Sequence, residues 1–227
     1  MAFFRPMAIR EIALGTARKP HHKDFNRSTQ ALSQLYTAYL PAFDTDGIVK
    51  VFIGVHDTAG AIDLASLAFG PVRRLLNVAT LDVPLDLSWY AALSEPAKAQ
   101  LQLEVVHAAC LAVSAAQDWD PRPFHTAYAQ CERAHLANAW VLQVGRRFVS
   151  SPDRRWKACL VCLWTLRTFR IDLVVMAKAT GGGQVTTLLE NEAHDPVDFQ
   201  ALRWADNQTV KATATNPHRE WQMVVNA

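Results

Sequence analysis

The stretch from residue 94 to residue 121 constrains this chain most. Ser94 followed by Glu95 and Pro96 is a helix start: a hydroxyl to cap the first free N–H groups, an early negative charge and a proline in the first turn. Beyond it, Leu101, Val105, Ala108 and Ala112 form one apolar stripe, and Leu103, Val106, Cys110 and Val113 form a second. Gln100, Glu104, His107 and Ser114 make a polar strip beside them. A helix with two apolar stripes has to be covered on two sides, as by a sheet and another helix. Residues 118–121 (DWDP) end it, and a second helix is expected over about 123–138, with Phe124, Tyr128, Cys131 and His135 on one face.

Around this helical pair the chain reads as β structure. Residues 8–17 are an expected strand and 21–28 a polar loop. Ser28 is the expected cap of a helix to about residue 40, with Leu32, Leu35, Tyr36 and Tyr39 at helical spacing and Pro41 as its stop. Residues 48–57 and 73–85 read as strands, the second ending near Pro84. After residue 140 the pattern is that of hairpins. Residues 148–149 and 156–166 flank an SSPDR turn, 171–180 and 184–190 flank three glycines, and 210–215 and 221–225 flank NPHRE. In the 156–166 strand Trp156, Ala158, Leu160, Cys162, Trp164 and Leu166 share one face while Val161 and Leu163 lie on the other, which predicts a strand covered on both sides. The expected class is therefore α+β: a single domain with an antiparallel sheet of about six or more strands packed against two to three helices. Its parts are a mixed segment over 1–93, the helical pair over 94–139 and an antiparallel meander over 140–227.

At 227 residues the chain is long enough to bury a core without a disulfide or metal staple. With 50% hydrophobic and 19% charged residues it is not a disordered chain. The start MAFFRPMAIREIALG is broken by Arg5, Arg10 and Glu11, so no secretory signal is expected. The longest apolar run, 159–164, is far short of a membrane span. Four cysteines without an export signal are expected to be reduced thiols in a cytoplasm. The net charge of +2 argues against a dedicated nucleic-acid binder. Its distribution is uneven: residues 1–43 carry +4, 44–120 carry −6, 140–178 carry +6 and 179–206 carry −4.

Tests for chemistry mostly exclude. Glu104/His107 and Glu132/His135 are two Glu-x-x-His pairs, each on one helical face, and together half of a di-iron carboxylate site. The acids between them, Asp118 and Asp120, lie near a helix end and leave no room for the further helices such a site needs, so solvated side chains on amphipathic helices are the expectation. Cys159-x-x-Cys162 sits in a strand pattern, where residues three apart point to opposite faces, so the thiols are expected to be buried and inert. There is no G-x-S-x-G elbow and no G-x-G-x-x-G, and the glycines at 181–183 precede a strand and lack a following Lys-Ser/Thr. His56–Asp57 and His194–Asp195 are half-dyads, and Arg18, Lys19, His21, His22, Lys23 and Arg27 form a basic loop; loop hydrogen bonding and solvation are the expected roles. No catalytic residue, metal or cofactor is assigned.

The seven tryptophans point to binding instead. Trp156 and Trp164 read as core. Trp89–Tyr90 and Trp119 lie near element ends beside acids (Asp82 and Asp86 for the first, Asp118 and Asp120 for the second), and Trp204 lies beside Asp206. Aromatics rimmed by carboxylates are typical anchors of protein interfaces. Asp82, Asp86, Trp89, Tyr90, Asp118, Trp119 and Asp120 are therefore the candidate partner-binding residues.

In layout the chain resembles the immunity proteins that accompany bacterial polymorphic and contact-delivered toxins. The likeness lies in a strand-rich start, then LDVPLDLSWYAALSEPAKAQLQLEVVHAACLAVSAAQDWD as a loop and long helix, PRPFHTAYAQC as a second helix, and a meander to the C-terminus. The resemblance implies a cytoplasmic, non-enzymatic inhibitor that binds a cognate protein toxin or effector domain, with neither nucleic acid nor membrane as partner; it is compatible with a homodimer. Many inhibitors of nucleases in this group are strongly acidic, whereas this chain is +2, so only its −6 or −4 segment offers a complementary field to a basic partner. The alternative is a small-molecule binder or hydrolase with a His/Asp/Glu site between helices and sheet.

Overall fold

The computed structural model describes residues 8–16, 22–60, 68–191, 198–216 and 218–225. It is α+β, and its strands are distributed over three sheets rather than gathered into one. The chain divides into two compact units, residues 1–138 and 139–227.

In the first unit a four-stranded sheet runs in the order β1 (Glu11–Thr16), β2 (Lys50–Asp57), β4 (Val78–Leu85), β3 (Arg73–Leu75). β1 and β2 are parallel, β2 and β4 are parallel, and only the short β3 is antiparallel to its neighbour. The register sets Leu14 beside Ile53 and Ile53 beside Leu81, so one face carries Ile12, Leu14, Val51, Ile53, Val55, Ala79, Leu81 and Val83, all buried. The expected strand 73–85 is thus a hairpin, reversed at Leu76, whose φ is 56°. β3 pairs only Val78–Thr80, so Pro84 falls where β4 has no second neighbour to miss its N–H.

Helix α1 (Lys23–Tyr39) connects the parallel pair β1 and β2. Its N-cap is His22, not the expected Ser28. Phe25 and Thr29 are buried and carry the packed face one turn further back, which outweighs the capping signal of a serine. Ser28 instead donates to the Phe25 carbonyl at 2.8 Å from inside the helix.

The long helix α3 (Glu95–Ala116) follows the six-residue α2 (Leu87–Ala92), and Ser94 caps it by accepting from Ala97 N–H at 3.4 Å. Leu101 and Val105 of the first stripe and Leu103, Val106, Cys110 and Val113 of the second are buried, while Ala108 and Ala112 of the first are only half-buried. Ser114, assigned to the polar strip, is buried as well, because its hydroxyl donates to the Trp119 carbonyl where the chain turns. α3 is also the helix, among the described residues, that is long and apolar enough to cross a membrane; half of that apolar window is buried in the core. α4 (Arg122–Arg133) is shorter than expected. His135 and Leu136 take left-handed φ values of 50° and 57°, which ends the helix, and Asn138 already begins a strand.

The second unit joins two sheets over one core. The first comprises β5 (Asn138–Leu142), β7 (Trp156–Trp164), β8 (Phe169–Ala177) and β9 (Gly183–Asn191) in that order, with β6 (Val149–Ser150) also on β7. The second is β10 (Asp198–Trp204), β11 (Thr209–Asn216) and β12 (His218–Val224). Ala158, Leu160, Cys162, Ile171, Leu173 and Val175 meet Phe199, Leu202, Val210, Ala212 and Met223. The expected alternation holds over Trp156–Trp164, where β7 ends and leaves Leu166 in the turn to β8, and Cys159 is buried on the other face.

Candidate functional site

Parallel β2 and β4 bring their carboxyl ends out at one end of the first sheet, and two carboxylates collect there. Asp57 is the last residue of β2 and Asp86 follows β4 directly. Asp57 Oδ1 accepts from Leu87 N–H at 3.1 Å, at the start of α2. Asp86 Oδ2 accepts from Gly60 N–H at 2.9 Å, beyond β2, and its Oδ1 from Trp89 N–H at 2.9 Å as the cap of α2. Each carboxylate therefore braces the other's segment. The backbone donors at Trp89 and Gly60 hold the Asp86 carboxyl below its usual range, so it stays ionised well into acid. Asp57 Oδ2 lies 3.8 Å from the buried His22 Nε2.

Asp82 projects from the opposite sheet face, directly beside Gly54 of β2. It pairs with Arg73 of β3, and with His56 Nε2 at 3.4 Å. A Cβ at position 54 would stand 2.5 Å from Asp82 Oδ1, so the glycine makes room for this carboxylate. His56 thus serves Asp82, not its chain neighbour Asp57, because adjacent strand residues face opposite ways. The second expected half-dyad, His194–Asp195, lies outside the described residues, as do Arg18, Lys19 and His21 of the basic loop.

Of the aromatic pair at this end, Trp89 is half-buried against the core. Tyr90 is 4% exposed and offers nothing to a partner. Its hydroxyl accepts from Gln102 Nε2 at 2.5 Å and lies 2.7 Å from Ser28 Oγ, and its ring meets Phe25 edge-on at 5.0 Å. Asp118, Trp119 and Asp120 form a separate corner between α3 and α4. Asp118 is exposed, with φ at 55°. The Trp119 ring is half-buried, stacked on Phe124 and edge-on to Phe43. Asp120 is bound by Arg122 through its N–H and its Nε, at 3.0 and 2.7 Å, so its charge is largely matched.

A third cluster was only partly foreseen. Tyr36 of α1 is fully buried and donates its one hydroxyl proton to the Phe124 carbonyl at 3.0 Å. His107 Nδ1, 2.9 Å from the same hydroxyl, must therefore carry a proton and donate it to Tyr36. Burial, with His125 alongside at 5.2 Å between ring centroids, pushes His107 down to about 4, so the ring is neutral near pH 7 with its lone pair on Nε2. Glu104 accepts from Tyr128 at 2.7 Å and from Gln100 at 2.7 Å. Glu132 also acts on Tyr128, whose hydroxyl is raised by burial and by both carboxylates. The Glu-x-x-His pairs named Glu104, His107 and Glu132, and these gather around Tyr128; His135 sits in the left-handed turn beyond α4 instead. Tyr36 and His125 were missed, although Tyr36 stood on a recognised helical face. Among the described residues no three His, Cys, Asp or Glu side chains are grouped to hold a metal. Cys159 and Cys162 lie on opposite faces of β7 and are buried, with Cys162 pushed up to about 11.

No protein-family model, no curated protein and no solved structure matches this chain.

Proposed function

We propose that this chain is a non-enzymatic protein-binding module, an immunity-type inhibitor that neutralises a cognate toxin or effector domain by occluding it. The observation that carries this reading is the strand-end acid pair. Asp57 and Asp86 are fixed by backbone N–H groups at Leu87, Gly60 and Trp89, and His22 Nε2 lies 3.8 Å from Asp57. A carboxylate held by neutral donors keeps its charge for an incoming partner and loses little freedom when it binds. Half-buried Trp89 beside them supplies apolar area at low entropic cost. The surface suits a partner with a basic face, and the −6 balance of residues 44–120 acts in the same sense over a longer range.

The test is neutralisation without loss of fold. Asp57→Asn with Asp86→Asn removes both charges and keeps one acceptor oxygen at each position, at the cost of one of the two backbone bonds of Asp86. Asp57→Asn alone, whose single backbone bond is kept, is the control for that loss. Binding of the co-purifying polypeptide is expected to weaken about tenfold or more, with a shallower salt dependence and unchanged circular dichroism. Unchanged affinity in the double variant rejects this surface.

One observation favours a second reading, a small-molecule binder or hydrolase. His107 offers a neutral imidazole beside Tyr128 and Glu104, a polar cluster suited to hydrogen-bonding a small molecule. A ligand retained through purification, with no second polypeptide, would favour it.

A further inference from the structure

A strand at the edge of a sheet offers unpaired N–H and C=O groups to any second strand, and most edges of this molecule are closed to one. Helix α1 closes β1. Thr37 Oγ1 accepts from Ile12 N–H at 3.1 Å, Asn26 Oδ1 accepts from Thr16 N–H at 2.8 Å, and Thr29 Oγ1 donates to the Leu14 carbonyl at 2.6 Å. β3 has three residues, two of them arginine, and β5 has five. β10 is irregular between Asp198 and Ala201, and its Trp204 Nε1 donates to the Val149 carbonyl of β6 at 3.2 Å. β12 carries His218, Arg219 and Glu220.

β9 is different. It ends the order β5, β7, β8, β9, and among the described residues no strand pairs with its outer side. Its nine residues, GQVTTLLEN, hold one ionisable side chain, Glu190, and no proline. Pairing with β8 is regular from Gly183 to Thr187, and the extra residue, Leu188, comes after that stretch. Within it Val185 is 62% exposed, with Thr186 and Thr187 exposed beside it. A regular, uncharged and β-branched edge lacks every device that keeps strands apart.

The strand itself selects what pairs there. A foreign strand chosen by charge needs a charge to read, and Gly183–Thr187 has none. An identical strand needs self-complementarity about a two-fold axis. Antiparallel pairing centred on Val185 supplies it: Val185 lies across from its own copy, Gln184 from Thr186 and Gly183 from Thr187. Two exposed valines then cover each other, and no like charges are opposed. The same register carries Glu190 of one copy to the level of the other's 178–182 turn, whose one charge is Lys178. Among the described residues neither group is in an ion pair. We infer that the chain forms a two-fold dimer through β9, with Val185 on the axis and the sheet of one copy continuing into the other. This surface is independent of the strand-end acids of the first unit.

The experiment is sedimentation velocity of the full chain from about 1 to about 200 μM, since a dimer forms by mass action. Twice the chain mass is expected at the upper end of that range. Val185→Lys and Val185→Asp each set like charges across the axis at an exposed position, and each should weaken the dimer about tenfold or more with unchanged circular dichroism. Mixing the two variants sets lysine across from aspartate and should restore a dimer of one copy of each. A monomer at every concentration, a dimer indifferent to both substitutions, or no recovery in the mixture would overturn the inference.

Discussion

His107 keeps its proton on a named nitrogen because a buried tyrosine has already committed its own. Tyr36 gives its hydrogen to the Phe124 carbonyl, so the imidazole must donate at Nδ1. A free histidine titrates near 6.5, whereas this one is pushed down to about 4. Between those values the unfolded chain binds more protons than the folded one. Stability from the neutral ring is therefore complete above pH 6.5 and is lost as pH falls toward 4. An NMR titration of the His107 ring should show a midpoint near 4, and His107→Gln should flatten the fall in unfolding free energy between pH 6.5 and 4. A midpoint near 6.5 would contradict this account of the site. At the same scale, residue types around the acid pair were legible and their exposure was not. Trp89 and Tyr90 are neighbours on a six-residue helix, and only the side on which α2 packs decides that Tyr90 goes inward to Gln102 and Ser28 while Trp89 stays at the rim.

Elements were readable where local chemistry and pattern agreed. Ser94, Glu95 and Pro96 begin α3 as expected, and Ser94→Ala should lower the unfolding free energy by about 0.5–1 kcal/mol, the modest end for a cap whose bond is 3.4 Å long. Urea denaturation measures it, and no change would mean the cap is replaced by solvent. Where two signals competed, the larger buried area won: Phe25 moved the start of α1 ahead of Ser28. Strand direction was beyond reach for another reason. An apolar strand reads alike in either sense, so nothing local revealed that β1, β2 and β4 run parallel, and it is this arrangement that brings Asp57 and Asp86 to one end. β10 was missed because DFQALRW alternates only weakly and lies among acids; its place comes from pairing with β11.

For the molecule as a whole, a net charge near zero is a poor guide to partners. The first unit holds ordered carboxylates at its strand ends, and residues 140–178 of the second carry +6, while the sum over the chain is only +2. Sequence blocks of alternating sign marked both regions, but which charges are matched internally depends on the fold: Asp120 is matched by Arg122 and Asp82 by Arg73, and among the described residues no carboxylate pairs with Arg146 or Arg147. The protein-binding reading makes a direct demand on the chain as it exists in its own cells. Native mass spectrometry of the tagged protein, purified gently from that source, should show a stoichiometric complex with one further polypeptide, diminished when Asp57→Asn and Asp86→Asn are combined. A bare chain that carries a metal ion or a small molecule would contradict it and turn attention to the His107 cluster.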